Sequence, residues 1–270
     1  MSADEQQYLK LFDGIRRLYG NEKFALLREL HICVIGVGGV GSWVVEALAR
    51  TAIGRLTIID NDTVSLSNMN RQLHTLQSTV DRSKVEVMQA RVLEINPWCE
   101  VNVIDDFLTM KTLPDYLDPG RGYDYVIDAI DSIKFKSAMI AHCKRNKIPM
   151  IMTGGAGGLT DPTLIQIADL TKTFNDPLAA KVRSQLRSDY GFTRNPKRRF
   201  GVECVFSSQQ QVYPKDDGSV SHEKPGIHGV SLDCRFGYGS ASFVTGSFAY
   251  FAAARAIEKA LERRLKKTPI

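Results

Sequence analysis

The 270-residue chain is 43% hydrophobic and 24% charged. That is enough to bury a large core, and it excludes both a disordered chain and a small disulfide scaffold. The net charge of +5, from 35 Lys+Arg against 30 Asp+Glu, is concentrated in two runs: Arg194-Asn-Pro-Lys197-Arg198-Arg199, and Arg263-Arg264-Leu-Lys266-Lys267. The body is therefore near neutral, with two basic clusters open to a polyanion or to solvent.

Cys33, Cys99, Cys143, Cys204 and Cys234 are widely spaced and contain no C-x-x-C pair. This excludes a four-cysteine zinc site and a secreted disulfide framework, and makes a reducing cytoplasm the expected compartment. The segment Met1 to Gln7 is too polar for a secretory signal. Residues 236–254 carry no charge and approach the roughly 20 residues of a membrane span. Their interspersed Gly, Ser and Thr favour a buried helix, with membrane association as the alternative.

In chain order, short apolar runs alternate with helical periodicities. Strands are expected at His31–Ile35, Leu56–Ile59 (ending at Asp60), Val101–Ile104, Tyr125–Ile127 and Ile148–Met152. Helices fall between them: Ser42 to Arg50, one marked by Val85, Met88, Val92 and Ile95, and one marked by Phe135, Met139, Ile140 and Cys143. The second half predicts a strand over Pro162–Ala168, a helix over Asp176–Tyr190, a strand within Val202–Val212, a long mobile loop over 214–233 and a terminal helix. The expected fold class is α/β, a Rossmann-like parallel half (about 1–153) continued by a mixed or antiparallel half (about 154–270) in one sheet. The whole chain, 1–270, then forms a single domain, because the junction near Thr153 is tight in glycine and unlike a linker.

Gly36-Val-Gly38-Gly39-Val-Gly41 follows a strand and opens a helix. In that context the glycines permit a tight turn and close approach to a phosphate at the helix N-terminus. Asp60 ends the next strand, where an acid accepts from ribose hydroxyls. Up to this point an NAD(P)-dependent oxidoreductase fits equally well. The segment beyond Asp60 carries Asn68 and Arg71, and Ser83-Lys84-Val-Glu86 is a capping box that puts Lys84 in a first helical turn. Cations normally avoid that end of a helix, so Lys84 with Arg71 points to a triphosphate between them. Asp131 follows the fourth strand and is placed to hold Mg²⁺ on those phosphates, or to cap the helix that starts near Ile133, a role open to Ser132 as well.

The glycine motif, the D-x-D-x-V-x-x-S-N-x-x-R run, the lysine and the aspartate together resemble the ubiquitin-activating-enzyme superfamily, which includes the adenylating enzymes of molybdopterin and thiamine biosynthesis. Further segments, among them Arg17-Leu-Tyr-Gly20, Thr153-Gly-Gly-Ala-Gly-Gly158, Asp176-Pro-Leu-Ala-Ala-Lys181 and Leu232-Asp-Cys234, are similar to a tRNA-modifying dehydratase branch. The resemblance implies a homodimeric ATP- and Mg²⁺-dependent, AMP-forming enzyme that acts on threonylcarbamoyladenosine in tRNA, with no DNA partner. It places Gly38 and Gly41 under the nucleotide and Asp60 on the ribose. Asn68, Arg71 and Lys84 lie on the phosphates, Asp131 on magnesium, and Arg17 reaches into the partner subunit's site. Cys234 matches the relatives' reactive cysteine, a position suited to a sulfur-relay or cysteine-desulfurase-type partner. The absent C-x-x-C pairs depart from the sulfur-transferring members, whose reaction, adenylation of a carrier protein's C-terminal glycine, is the alternative.

Overall fold

The computed structural model describes residues 3–223 and 239–267. Seven strands form one sheet in the order β3-β2-β1-β4-β5-β7-β6: β1 (His31–Ile35), β2 (Arg55–Ile59), β3 (Glu100–Ile104), β4 (Tyr125–Asp128), β5 (Met150–Thr153), β6 (Ile165–Asp169) and β7 (Glu203–Ser207). All neighbours are parallel except β6, which runs against β7 with Asp169 opposite Glu203. Ile35 stands opposite both Ile59 and Asp128, so the carboxyl ends of β1, β2 and β4 share one edge. The hydrogen-bonded pair β5–β7 joins the two halves of the chain within that sheet.

The central strands are apolar on both faces, as a parallel sheet covered on both sides requires. Period-two alternation divides their side chains between two cores. Ile32, Val34, Ile58 and Ile127 pack with α1 (Ala3–Leu27), α2 (Gly41–Arg50), α3 (Lys84–Ile95) and the C-terminal helix. Cys33, Ile35, Met152 and Phe206 pack with the single turn α4 (Leu113–Tyr116), α5 (Ile133–Arg145) and α6 (Pro177–Asp189).

The C-terminal helix α7 (Ser242–Lys267) turns Val244, Phe248, Ala252 and Ala256 into the first core and Phe243, Tyr250 and Phe251 outward. The uncharged stretch is thus a packed amphipathic element where it is described, and no described helix is long and apolar enough to cross a membrane.

Three local expectations change. The strand expected from Pro162 begins at Ile165, because Asp161 caps a 3₁₀ turn over Pro162–Leu164. The one expected over Val202–Val212 stops at Ser207. Of the loop expected over 214–233, residues up to 223 form a small hairpin, β8 (Tyr213–Pro214) with β9 (Val220–Ser221), closed by the Lys215 amide donating to the Ser219 carbonyl (2.8 Å); residues 224–233 lie outside the described residues.

Candidate active site at the carboxyl edge of the sheet

The glycine loop leaves β1 and enters α2. Gly36 has φ +85°, and a Cβ on Gly41 would stand 1.7 Å from the Gly36 carbonyl oxygen, so the turn closes only with glycine at both positions. Asp60, directly after β2, fixes the loop: its carboxylate accepts from the Val37 amide (2.6 Å) and the Asp62 amide (2.9 Å). Each oxygen keeps a further lone pair for a hydroxyl donor.

Residues 65–75 fold back over this loop. The side chain of Arg71 lies along Gly39, 3.4 Å from the position a Cβ there would take, and Gln72 lies beside Gly38 in the same way at 3.8 Å. The Arg71 guanidinium donates to the Ser67 carbonyl (2.9 Å) and to Asn70 Oδ1 (3.0 Å), and no carboxylate pairs with it among the described residues. The Arg71 carbonyl is clamped by Trp43 Nε1 (3.0 Å) and Thr245 Oγ1 (3.4 Å). The Asn70 side-chain amide donates to the Ser240 carbonyl (2.8 Å). Asn68 ends a 3₁₀ turn and accepts from the Ser65 amide (3.3 Å).

Lys84 is the first residue of α3, as expected, and is buried. Its ammonium lies 2.8 Å from Asp62 Oδ2, and the Asp62 carboxylate is 62% exposed. This cation at a helix N-terminus is therefore balanced by an acid of the site segment itself. The expected capping box does not form: Ser83 Oγ donates to Asp105 Oδ2 (2.7 Å), and the Asp62 carbonyl takes the Lys84 amide (3.1 Å). A neighbouring strand end outcompetes the local cap.

Asp131 is exposed two residues before α5, with no hydrogen bond or ion pair among the described residues. Ser132 is the N-cap residue, so Asp131 does not serve as the cap. Beneath it lies a group that no sequence motif marks. Asp128 and Lys136 form a fully buried ion pair at 2.8 Å, with Asp128 Oδ2 left without a partner. Burial pushes the Asp128 carboxyl up, against the opposing pull of Lys136. The signal was present: Lys136 lies three, four and seven residues before Met139, Ile140 and Cys143, on the buried stripe of its helix. Gln72 and His74 likewise belong to no recognised motif. Both are buried, Gln72 Oε1 and both His74 ring nitrogens lack hydrogen-bond partners, and burial followed by Lys84 lowers the His74 pKa to about 4.

The structure thus brings together Gly36, Gly38, Gly39, Gly41, Asp60, Asn68, Arg71 and Lys84, with Asp131 on the same edge of the sheet. Arg17 is elsewhere: it is exposed on α1 and held by Asp13 of the same helix at 2.6 Å. Cys234 lies outside the described residues.

Residues 13–268 of the chain match the ThiF family. The chain is a member of the ThiF family. Among curated relatives, the protein named tRNA threonylcarbamoyladenosine dehydratase in Haemophilus influenzae is 53% identical over 257 residues, 95% of each chain. Two crystal structures of E. coli tRNA N6-threonylcarbamoyladenosine dehydratase superpose on this ThiF-family fold. The AMP complex does so with TM-score 0.85 at 47% identity, and the ATP complex with 0.84 at 46%, each covering 96% of this chain and 97% of that one.

Proposed function

We propose that the chain is an ATP-dependent dehydratase that cyclises threonylcarbamoyladenosine in tRNA through an acyl-adenylate, a ligase-type, AMP-forming reaction. The observation that carries this reading is the 53% identity, end to end, to the Haemophilus influenzae dehydratase. The substrate's carboxylate oxygen attacks the α-phosphorus of ATP, and pyrophosphate leaves. A nucleophilic atom of the same substituent then attacks the activated acyl carbon, closes the ring, loses its proton and expels AMP, so the nucleoside has lost one water. Ring closure is intramolecular, which is why no protein thiol is required.

In this reading the Gly36–Gly41 turn bears the nucleotide and Asp60 accepts from its ribose. Arg71, without an acidic partner among the described residues, and Lys84, released from Asp62, stabilise the charge that develops on the phosphates. Asn68 supplies a further amide donor. The donor set fits magnesium: Asp131 is an exposed carboxylate with no partner among the described residues, and Mg²⁺ is held by one or two carboxylates together with substrate phosphates. When bound it would neutralise phosphate charge.

We further propose that the enzyme works in the cytoplasm as a homodimer in which Arg17 completes the partner's site. Leu66, Met69, Phe243 and Tyr250 support this, since they leave large apolar side chains exposed around the site segment and α7. A sulfur-relay or cysteine-desulfurase-type protein meeting Cys234 is the remaining partner proposal. The decisive experiment incubates the protein with ATP, Mg²⁺ and threonylcarbamoylated tRNA and weighs the released nucleosides. Loss of one water is expected; an unchanged mass refutes the reading.

A further inference from the structure

The two long helices that cover one face of the sheet carry almost no acid. Helix α5 contributes Lys134, Lys136, Lys144 and Arg145, and α6 contributes Lys181, Arg183 and Arg187; their one acid is Asp189. Lys136 is taken by Asp128, and the other six reach the surface. The opposite face mixes both signs, with Asp13, Glu22, Glu86, Glu94 and Glu258 among its acids.

Both helices begin at the edge that holds the site. Asp131 lies two residues before α5, and Asp176, the cap of α6, accepts from the Gly155 amide at 3.0 Å. Both run to the opposite edge, and 13 residues of helix span about 20 Å. There they meet the basic run 194–199, which is held in place. Lys144 Nζ donates to the Gly201 carbonyl (3.2 Å), and Arg187 Nε to that of Thr193 (3.4 Å). Asp169 accepts from the Phe200 and Gly201 amides (3.1 and 2.7 Å), and Phe200 is buried edge-on against Phe192. Arg194, Lys197, Arg198 and Arg199 are exposed, and none has an acidic partner among the described residues.

A lone small anion calls for converging donors, and a protein partner calls for apolar anchors. This surface has neither: the cations are strung along the helices, and no exposed large apolar residue falls on α5, α6 or the run. A row of uncompensated charges suits the evenly spaced phosphates of a nucleic acid. B-DNA rises about 3.4 Å per base step and A-form RNA somewhat less, so 20 Å corresponds to about six to seven base pairs of RNA.

We propose that the α5–α6 face and the 194–199 run form one RNA-backbone track, which leaves the adenylation site and grips the tRNA on a paired stem about six to seven base pairs from the reacting base. The proposal rests on the tRNA-dehydratase reading above. Its test uses the triple variant Lys197→Gln, Arg198→Gln, Arg199→Gln, and independently the helix variant Lys134→Gln, Lys181→Gln. The probes are full-length threonylcarbamoylated tRNA and a short single-stranded oligonucleotide bearing the same modified base.

In the triple variant the slope of log Kobs against log salt for tRNA falls by about two to three, and in the helix variant by about one to two. The KM advantage of tRNA over the oligonucleotide shrinks in both. An unchanged salt slope in both variants overturns the track. So does an oligonucleotide that loses as much as tRNA, because the run would then lie at the reacting loop. A parent protein that binds tRNA with the steep slope but leaves the nucleoside mass unchanged refutes the catalytic reading and leaves the track standing.

Discussion

Removing one side of the buried Asp128–Lys136 pair tests how the fold supports the catalytic edge. Lys136→Met keeps the length and apolar bulk of the side chain but strands a carboxylate whose second oxygen already lacks a partner. Breaking a buried pair from one side costs about 3–5 kcal/mol. Unfolding entropy of about 2.1 cal/mol/K per residue gives roughly 0.57 kcal/mol/K for a chain of this length. A loss of about 4 kcal/mol therefore lowers Tm by about 7 °C at pH 7. The pH dependence has a definite sign. Burial already raises the Asp128 pKa in the fold, and losing Lys136 raises it further. A raised acid is most favourable when protonated, so the deficit of the variant shrinks as pH falls and grows as pH rises through the folded-state pKa. The assay is thermal unfolding of parent, Lys136→Met and the double variant Asp128→Asn, Lys136→Met, each at pH 5 and pH 7. The double variant should recover much of the loss, because neither charge is then buried. A single variant within 1 °C of the parent at both pH values, or a double variant no better than the single, refutes the reasoning.

Lys84→Ala removes a charge-assisted contact to the phosphates, worth about 1.5–3 kcal/mol, and should lower kcat/KM for ATP-dependent dehydration about 10–100-fold. Steady-state kinetics with modified tRNA measure it, and a change under threefold would count against a phosphate role. Arg17→Ala and Lys84→Ala, each strongly impaired alone, should recover about a quarter of parent activity when mixed and allowed to exchange subunits, since half the dimers then hold one intact site; a mixture no more active than its components would remove Arg17 from the partner's site. His74 is neutral in the fold, with a pKa near 4 against 6.5 for the free side chain. Its contribution is therefore present above pH about 6.5 and lost as pH falls towards 4. His74→Phe should flatten the acid limb of a Tm–pH curve, and an unaltered limb would show that His74 does not drive it.

The order of strands and the glycine turn were legible because their constraints are local. A Gly36–Gly41 closure admits nothing larger, and apolar runs ending in Asp60 or near Asp128 mark strand ends directly. Lys84 was legible for the opposite reason, since it contradicts the electrostatics of its own helix end. What escaped is long-range. The balance of Lys84 by Asp62 spans 22 residues. The capping box failed because Asp105, from the end of another strand, competes for Ser83. The C-terminal basic run looked free, yet Arg264 is bound bidentately by Asp124 at 2.6 and 2.8 Å, 140 residues away in sequence. The 194–199 run has no such partner among the described residues, and only the folded chain separates the two.

The clamp on Arg71 has a consequence for how the protein comes into being. Its carbonyl is held by Trp43 from one end of the chain and Thr245 from the other, and Ser240 takes the neighbouring Asn70. The ribosome completes the glycine-loop half about 90 residues before it reaches these partners, an interval of roughly 5–20 s at ordinary elongation rates. A chain that stops short of α7 lacks the Thr245 and Ser240 contacts on this segment and the apolar side chains with which α7 completes the first core. The full clamp on Arg71 therefore forms only once the last helix has emerged and docked.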